Sequence, residues 1–360
     1  MTAAAAISPV SEPRTSAAVV AVDPRNDVRW DVLAADAGSL FTSSPWIRAV
    51  SESYGFAPRA RVELDAEGIP RNGFSWVEID DIRGDRLVSM PFSDRAEPIL
   101  SDPSMWSLLA EDAFKGNGPM TLRCLDGAAP TSDSRLASIG RAAWHETAVD
   151  LPLEVIRQSL QPSARRAVAS SARRGVDVCV CTGLDAVRQF HGMHVGLRKS
   201  KYGMLAQPAD FFDRIWAEFC SGEGIFTLLA CVEGEPVAGA MLLVWGDTLY
   251  FKFAASRIEA LHLLPNYAVY WRTIQLASEL GLRRVDWGLS DLDQPGLVAF
   301  KRKWASGESR IHTLRTPGHA TPKSSEMGPL LTGLTNLLAD ASVPDEITAR
   351  AGSLLYRYFA

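Results

Sequence analysis

The chain has 360 residues, of which 47% are hydrophobic and 22% charged, and its formal net charge is -5. That composition excludes a disordered or fibrous protein, implies about two domains of ~150 residues, and gives no general attraction to DNA or an anionic membrane, so an anionic partner must be held by a local patch. Five cysteines without a CxxC pair, no stretch of about 18 apolar residues, and no signal-peptide pattern at the start predict a cytoplasmic protein with reduced thiols and a disordered leader over residues 1–25.

In chain order, Ser44-Pro45-Trp46 starts a helix that ends at Gly55, because proline suits the first helical turn. Residues 59–64 alternate polar and apolar, Asp65-Ala66-Glu67-Gly68 supplies a turn, and residues 74–79 and 86–90 continue as strands. A helix over 103–115 and a strand over 120–125 follow. The second half begins with a helix over 153–174, a strand over 176–181 and helices over 184–200 and 208–220. Strands over 225–232, 237–245 and 248–254 are joined by hairpin turns at Glu233-Gly234-Glu235-Pro236 and Gly246-Asp247. A helix over 265–280 stops at Gly281, and a strand over 283–287, a short helix over 296–304 and a strand over 310–314 complete the set. Residues 316–325 read as a linker and those after Met327 as helical decoration. The divisions are an N-terminal lobe over 26–150, a C-terminal lobe over 151–315 and a tail over 316–360.

No GxSxG, HExxH or GxxxxGK[ST] motif occurs, so covalent hydrolases, zincins and P-loop enzymes lose their support. Acyl transfer to an amine needs none of them; it needs an uncharged nucleophile, a positioned carbonyl and a cation or N–H donors where the oxyanion forms. The segment Asp286-Trp287-Gly288-Leu289-Ser290 followed by Phe300-Lys301 offers these: a strand ending in glycine, then a cation beside an apolar wall. Lys301 and Asp286 are the catalytic candidates, set against a solvated lysine and a strand-end carboxylate. Arg165, Arg166, Arg173 and Arg174 fall opposite the stripe Ala164, Val168 and Ala172 of one helix, a face able to grip phosphates or simply the solvated back of that helix. Asn266 and Tyr267 open the helix at Pro265, where first-turn N–H groups hold anions or polarised carbonyls. Lys199, Lys201, Tyr202 and Gly203 read as a loop that lines an acceptor channel or lies open to solvent, and His191 and His194 as structural or surface residues outside any metal set.

The order strand, two helices, three antiparallel strands, helix, strand, short helix, strand is that of a GNAT acyltransferase, with a weaker copy upstream. With the basic helix before Gly175-Val176, Pro265-Asn266, Asp286-Trp287-Gly288 with Ser290, and Phe300-Lys301, the chain resembles the Fem-type branch of that superfamily over most of 41–314. In the first half, Met90-Pro91-Phe92-Ser93-Asp94 and the run from Glu97 to Asp102 resemble its acceptor-side loop.

The resemblance implies an α+β fold of two tandem GNAT-like lobes with mixed, largely antiparallel sheets flanked by helices. It further implies an acyl or aminoacyl group transferred to an amine of a cell-envelope or exopolysaccharide precursor. Lys301 would stabilise the oxyanion and Asp94 or Asp102 would contact the acceptor, beside Asn266, Tyr267, Ser290, Phe300, Lys199 and Tyr202 as the substrate-contact candidates read from the residues themselves. The donor would be acyl-CoA or aminoacyl-tRNA, with no metal, no DNA and at most peripheral contact with a membrane-bound lipid precursor. The stretch from Ser256 to Asn266 has no glycine where coenzyme A-dependent GNATs carry a glycine-rich pyrophosphate loop. A coenzyme A-dependent N-acetyltransferase of a small amine or amino sugar, and a non-catalytic glycan- or partner-binding module, are the competing readings.

Overall fold

A computed structural model describes residues 18–317 and 322–360, the side chains of 322–324 excepted. The leader expected over residues 1–25 lies outside the described residues up to residue 17, and its later part is instead a strand, β1 (Ala18–Val22), paired with the strand that follows the first two helices. The first half continues with α1 (Val28–Ala37), α2 (Ser44–Tyr54), β2 (Ala57–Leu64), β3 (Pro70–Ile79), β4 (Arg86–Val88), β5 (Ile99–Leu100), α3 (Trp106–Leu109), α4 (Glu111–Lys115), β6 (Met120–Leu125) and β7 (Ala137–Ala148). Ser43, one residue earlier than the sequence pattern indicates, caps α2 by accepting from the Trp46 N–H, and Gly55 ends it at φ +68.

The second half holds α5 (Leu153–Ser159), α6 (Pro162–Arg173), β8 (Asp177–Cys181), α7 (Leu184–Tyr202), α8 (Ala209–Phe219), β9 (Ile225–Val232), β10 (Glu235–Trp245) and β11 (Thr248–Ser256). It closes with α9 (Pro265–Glu279), β12 (Arg284–Asp291), α10 (Pro295–Lys301), β13 (Gly307–Arg315), α11 (Pro322–Leu338) and α12 (Asp345–Leu355). The single helix expected over 153–174 is two, because Leu160 and Gln161 are extended (ψ 148 and 138) ahead of Pro162, whose ring disfavours helical geometry in the residue before it. The residues expected to form a loop at 199–202 are the last turn of α7, which Gly203 stops at φ +58. The expected linker is likewise helical from Pro322.

The thirteen strands of the described residues form one sheet, ordered β1-β2-β3-β4-β6-β13-β7-β12-β11-β10-β9-β8, with β5 added beside β3. The lobes exchange strands: β13, from the second half, lies between β6 and β7 of the first, and β7 carries the pairing on to β12. Among the described residues only β4 with β6 and β11 with β12 run parallel, and both pairings are short. β11 follows β12 from Thr248 against Arg284 to Tyr250 against Asp286, then the two part; β4 and β6 part after Val88 against Thr121. Each parting leaves a splay in the sheet.

One face of the sheet carries a core common to both halves, in which Trp30, Trp46 and Ile47 share a cluster with Phe190, Phe211 and Phe212. The other face carries two separate cores. One surrounds Leu228, Tyr270, Trp287 and Trp304, and the other Phe74, Trp106, Leu109 and Leu122. A continuous sheet with one undivided core fixes the two splays relative to each other.

Candidate active site

The site is built on an irregularity in β12. Asp286 lies opposite Glu146 and Leu289 opposite Trp144, so two residues of β12 face one of β7, and Gly288 takes φ +69. This is a bulge, and it corrects the expectation that the strand ends at Trp287: β12 runs through it to Asp291. Asp286, 3% exposed, holds the bulge by accepting from the Gly288 N–H at 2.7 Å and from the indole N–H of Trp144 at 2.9 Å, both on Oδ1. The bulge turns the carbonyls of Gly288 and Leu289 toward Lys301 on α10, whose ammonium donates to each at 3.0 Å.

From the first lobe, Asp94 reaches into the splay between β11 and β12. Its Oδ1 accepts from Lys252 Nζ at 2.7 Å and its Oδ2 from the Leu289 N–H at 3.4 Å. A Cβ on Gly288 would stand 2.6 Å from Asp94 Oδ2, so the close approach of the two lobes needs glycine there. The Lys252 ammonium lies 4.8, 5.2 and 5.4 Å from the ring centroids of Phe41, Trp46 and Phe253, an aromatic surround that favours the charged form. Two cations and two carboxylates therefore interlock around one bulge.

Their protonation follows from burial and from each other. Burial pushes the Asp286 carboxyl up to about 6 against the opposing pull of Arg95. Burial also brings the Lys301 ammonium down to about 8, a fall that the nearby Asp94 and Asp286 limit. For Asp94 burial is again the largest influence, but Lys252 and Lys301 together outweigh it and hold the carboxyl below its ordinary value. At neutral pH Asp94 is a carboxylate and Lys301 largely an ammonium.

The two splays open into one cleft of about 640 Å³ between the lobes. Asp94, Lys252, Leu289 and Ser290 line it on the side of the bulge, and the Ser290 hydroxyl is buried without a hydrogen-bond partner. A second groove of about 570 Å³ runs beside the start of α9, lined by Tyr202, Asn266, Tyr270, Gln294, Leu297 and Phe300. Tyr202, Gln294 and Leu297 line both, so the two spaces adjoin.

Of the residues singled out from sequence, Lys301, Asp286, Asp94 and Ser290 come together at the bulge, and Asn266, Phe300 and Tyr202 in the adjoining groove. Lys301 is 5% exposed and is itself among the lining residues of neither the cleft nor the groove. The others lie elsewhere. Tyr267 accepts from Lys303 and packs edge-on against Phe300. Asp102 accepts from the Ser104 N–H at an exposed turn, and Lys199 pairs with Asp345 of α12 in a third cavity, of about 900 Å³. None of Arg165, Arg166, Arg173 and Arg174 lines the cleft or the groove; Arg165 bonds the Gln158 carbonyl and Arg174 that of His262. The expected apolar stripe on α6 is shifted as well, with Ser171 buried and Ala172 exposed. His194 is buried in an aromatic cluster and bonds Gln207, and no cluster able to hold a metal occurs among the described residues. Lys252 escapes sequence reading; its only signal is a lone cation inside the apolar run Leu249 to Ala255.

A mixed sheet that splays at a parallel pair, with a bulged strand and a helix start beside the opening, is the architecture of tandem GNAT-like lobes. Residues 157–302 match the family described as acetyltransferase (GNAT) domain. The lipid II:glycine glycyltransferases of Staphylococcus epidermidis and Staphylococcus aureus are 32% identical to the chain over 80 residues, which is 21% of this chain and 19% of theirs, so the match spans about a fifth of those relatives. The crystal structure of FemX superposes with a TM-score of 0.63 at 14% identity, covering 79% of this chain and 94% of that one. L-PGS from Bacillus licheniformis gives a TM-score of 0.53 at 12% identity over 88% of this chain and 99% of its own. Residues 157–302 thus resemble a GNAT acetyltransferase domain, and the chain shares its fold with FemX. No helix among the described residues is long and apolar enough to cross a membrane.

Proposed function

We propose that the protein transfers an acyl or aminoacyl group from an activated ester or thioester to an amine of a cell-envelope precursor, in the cleft between its lobes. The observation that carries this is the buried Lys301 ammonium held by the β12 bulge, beside a carboxylate supplied by the other lobe. An ammonium has three hydrogens; two go to the Gly288 and Leu289 carbonyls, which leaves the third for an oxyanion brought up to the bulge. The acceptor amine enters uncharged, its nitrogen bonds to the carbonyl carbon, and collapse breaks the bond to the donor oxygen or sulfur, which leaves with the electron pair. Asp94 orients the amine and accepts its proton, and Ser290 offers its unpartnered hydroxyl to substrate. Asn266 and Phe300 position the donor in the groove beside α9. Five free cysteines and the supply of activated donors inside the cell favour a cytoplasmic setting.

Glycyl transfer by the staphylococcal relatives supports an aminoacyl-tRNA as donor, whose phosphates the α6 arginines would meet. Incubating the purified protein with envelope precursors and either acetyl-CoA or charged tRNA, followed by mass spectrometry, tests the reading. A mass gain on a precursor amine that requires Lys301 supports it, and no gain with any donor counts against it.

A further inference from the structure

We propose that the cleft floor holds an anionic group of the acceptor, a phosphate or carboxylate close to its reacting amine, through Arg123 and Arg315. The inference rests on the acyl-transfer reading only in treating the cleft as the acceptor side. It starts from strand register. In the pairing of β6 with β13, Arg123 stands opposite Thr313 and Arg315 opposite Thr121. Alternation along a strand puts Thr121 and Arg123 on one face, and Thr313 and Arg315 likewise. All four residues line the cleft, with each arginine facing a threonine and the two arginines on a diagonal.

Neither guanidinium has a carboxylate partner among the described residues; Arg123 donates only to the Ser93 carbonyl, at 3.3 Å. Elsewhere arginines are neutralised by carboxylates, as in Arg29 with Asp27 and Arg302 with Glu308. Around the cleft as a whole, Arg123, Arg198, Lys252 and Arg315 stand with Asp94 and Asp291, while Arg83 and Arg86 line it too but bond Tyr358, Ala360 and Asp81. The sign of the cleft is thus opposite to the chain's net charge of -5. Like charges gathered in a concavity raise one another's electrostatic energy, and a bound anion relieves that cost.

Position links the patch to the chemistry. The carbonyl that Arg123 touches belongs to the residue before Asp94, so the anion held by Arg123 and the amine held by Asp94 would lie close together. They must belong to one small molecule or to one end of a larger one. Arginine forks bind two oxygens at once, and threonine hydroxyls supply further donors for a third.

Calorimetric binding of phosphoethanolamine, β-alanine and ethylamine to the full chain tests this, since the three differ in the group beside the amine. At least one of the two anionic amines should bind tenfold or more tighter than ethylamine, and the tighter of them identifies the group. The double variant R123Q–R315Q should remove the difference, and R123K–R315K, which keeps the charges, should retain part of it. Equal binding of all three amines, or discrimination unchanged in R123Q–R315Q, overturns the proposal. K301M should keep the discrimination while losing transfer. Binding preference with no transfer by the wild type therefore counts against the acyl-transfer reading alone, and transfer without preference against the anion site alone.

Discussion

Replacing Lys301 by Met separates its role in catalysis from its role in stability. The ammonium's fall from an ordinary 10.5 to about 8 corresponds to roughly 3 kcal/mol of discrimination against the charged form in the folded state. Methionine fills similar volume and removes that penalty, but it leaves the Gly288 and Leu289 carbonyls without their donor, at a cost of about 1–3 kcal/mol each. The contributions nearly cancel, so K301M should unfold within a few kcal/mol of wild type at pH 7. Turnover should nevertheless fall about 10²–10³-fold, the range for losing one oxyanion donor. The pH dependence supplies a second check that needs no substrate. Between the folded pKa and 10.5 the unfolded chain binds more protons at this lysine than the folded one, so stability rises with pH there. The stability of wild type relative to K301M should therefore grow by roughly 3 kcal/mol from about pH 8 to 10.5, read from urea unfolding at a series of pH values. Parallel stability curves for the two proteins, or unchanged turnover in K301M, would refute the assignment.

Wild-type kcat/KM should decline above about pH 8 as Lys301 loses its proton, and K301R, whose guanidinium stays charged, should lose that alkaline limb; a limb unmoved in K301R assigns the titration to another group. G288A should lower both stability and activity, because its Cβ meets Asp94 Oδ2 at 2.6 Å and its φ of +69 costs a side-chain residue about 1–3 kcal/mol; unfolding at the wild-type denaturant midpoint contradicts this. D286A should cost about 2–5 kcal/mol by stranding the Trp144 and Gly288 N–H groups, and D286N, which keeps a carbonyl oxygen for them, measurably less; equal losses in the two variants exclude the hydrogen-bonding explanation. K252M should destabilise by about 3 kcal/mol, because Asp94 loses its close partner, and adding D94L should restore most of that; a double variant no better than the single shows that the pair is not the cause.

The second lobe was legible because its strands carry their own punctuation. The residues Glu233-Gly234 and Gly246 adopt the positive φ that their turns require, and β9, β10 and β11 begin and end close to where alternation and turn residues place them. Phe300 and Lys301 stood out for a similar reason: a cation one residue after an aromatic is a local pattern. Lys252 was not, because its meaning depends on Phe41 and Trp46, two hundred residues earlier. The bulge in β12 was half legible. Gly288 marks it, but a glycine read without coordinates serves equally as a strand end, and only the pairing with Trp144 shows that the strand continues.

Strand exchange accounts for the largest gap. β7 carries Gly140 and Arg141 amid an irregular alternation, so no periodicity announces it, yet it lies between β13 and β12 and completes the sheet. Its stability comes from partners more than a hundred residues away, which a window of local sequence does not sample. The same exchange brings Arg315 of the second half beside Arg123 of the first and aims Asp94 at the bulge in β12. A division at residue 150 therefore matches the order of elements in the chain but cuts across the cleft, whose floor and reaction centre each take residues from both sides of it.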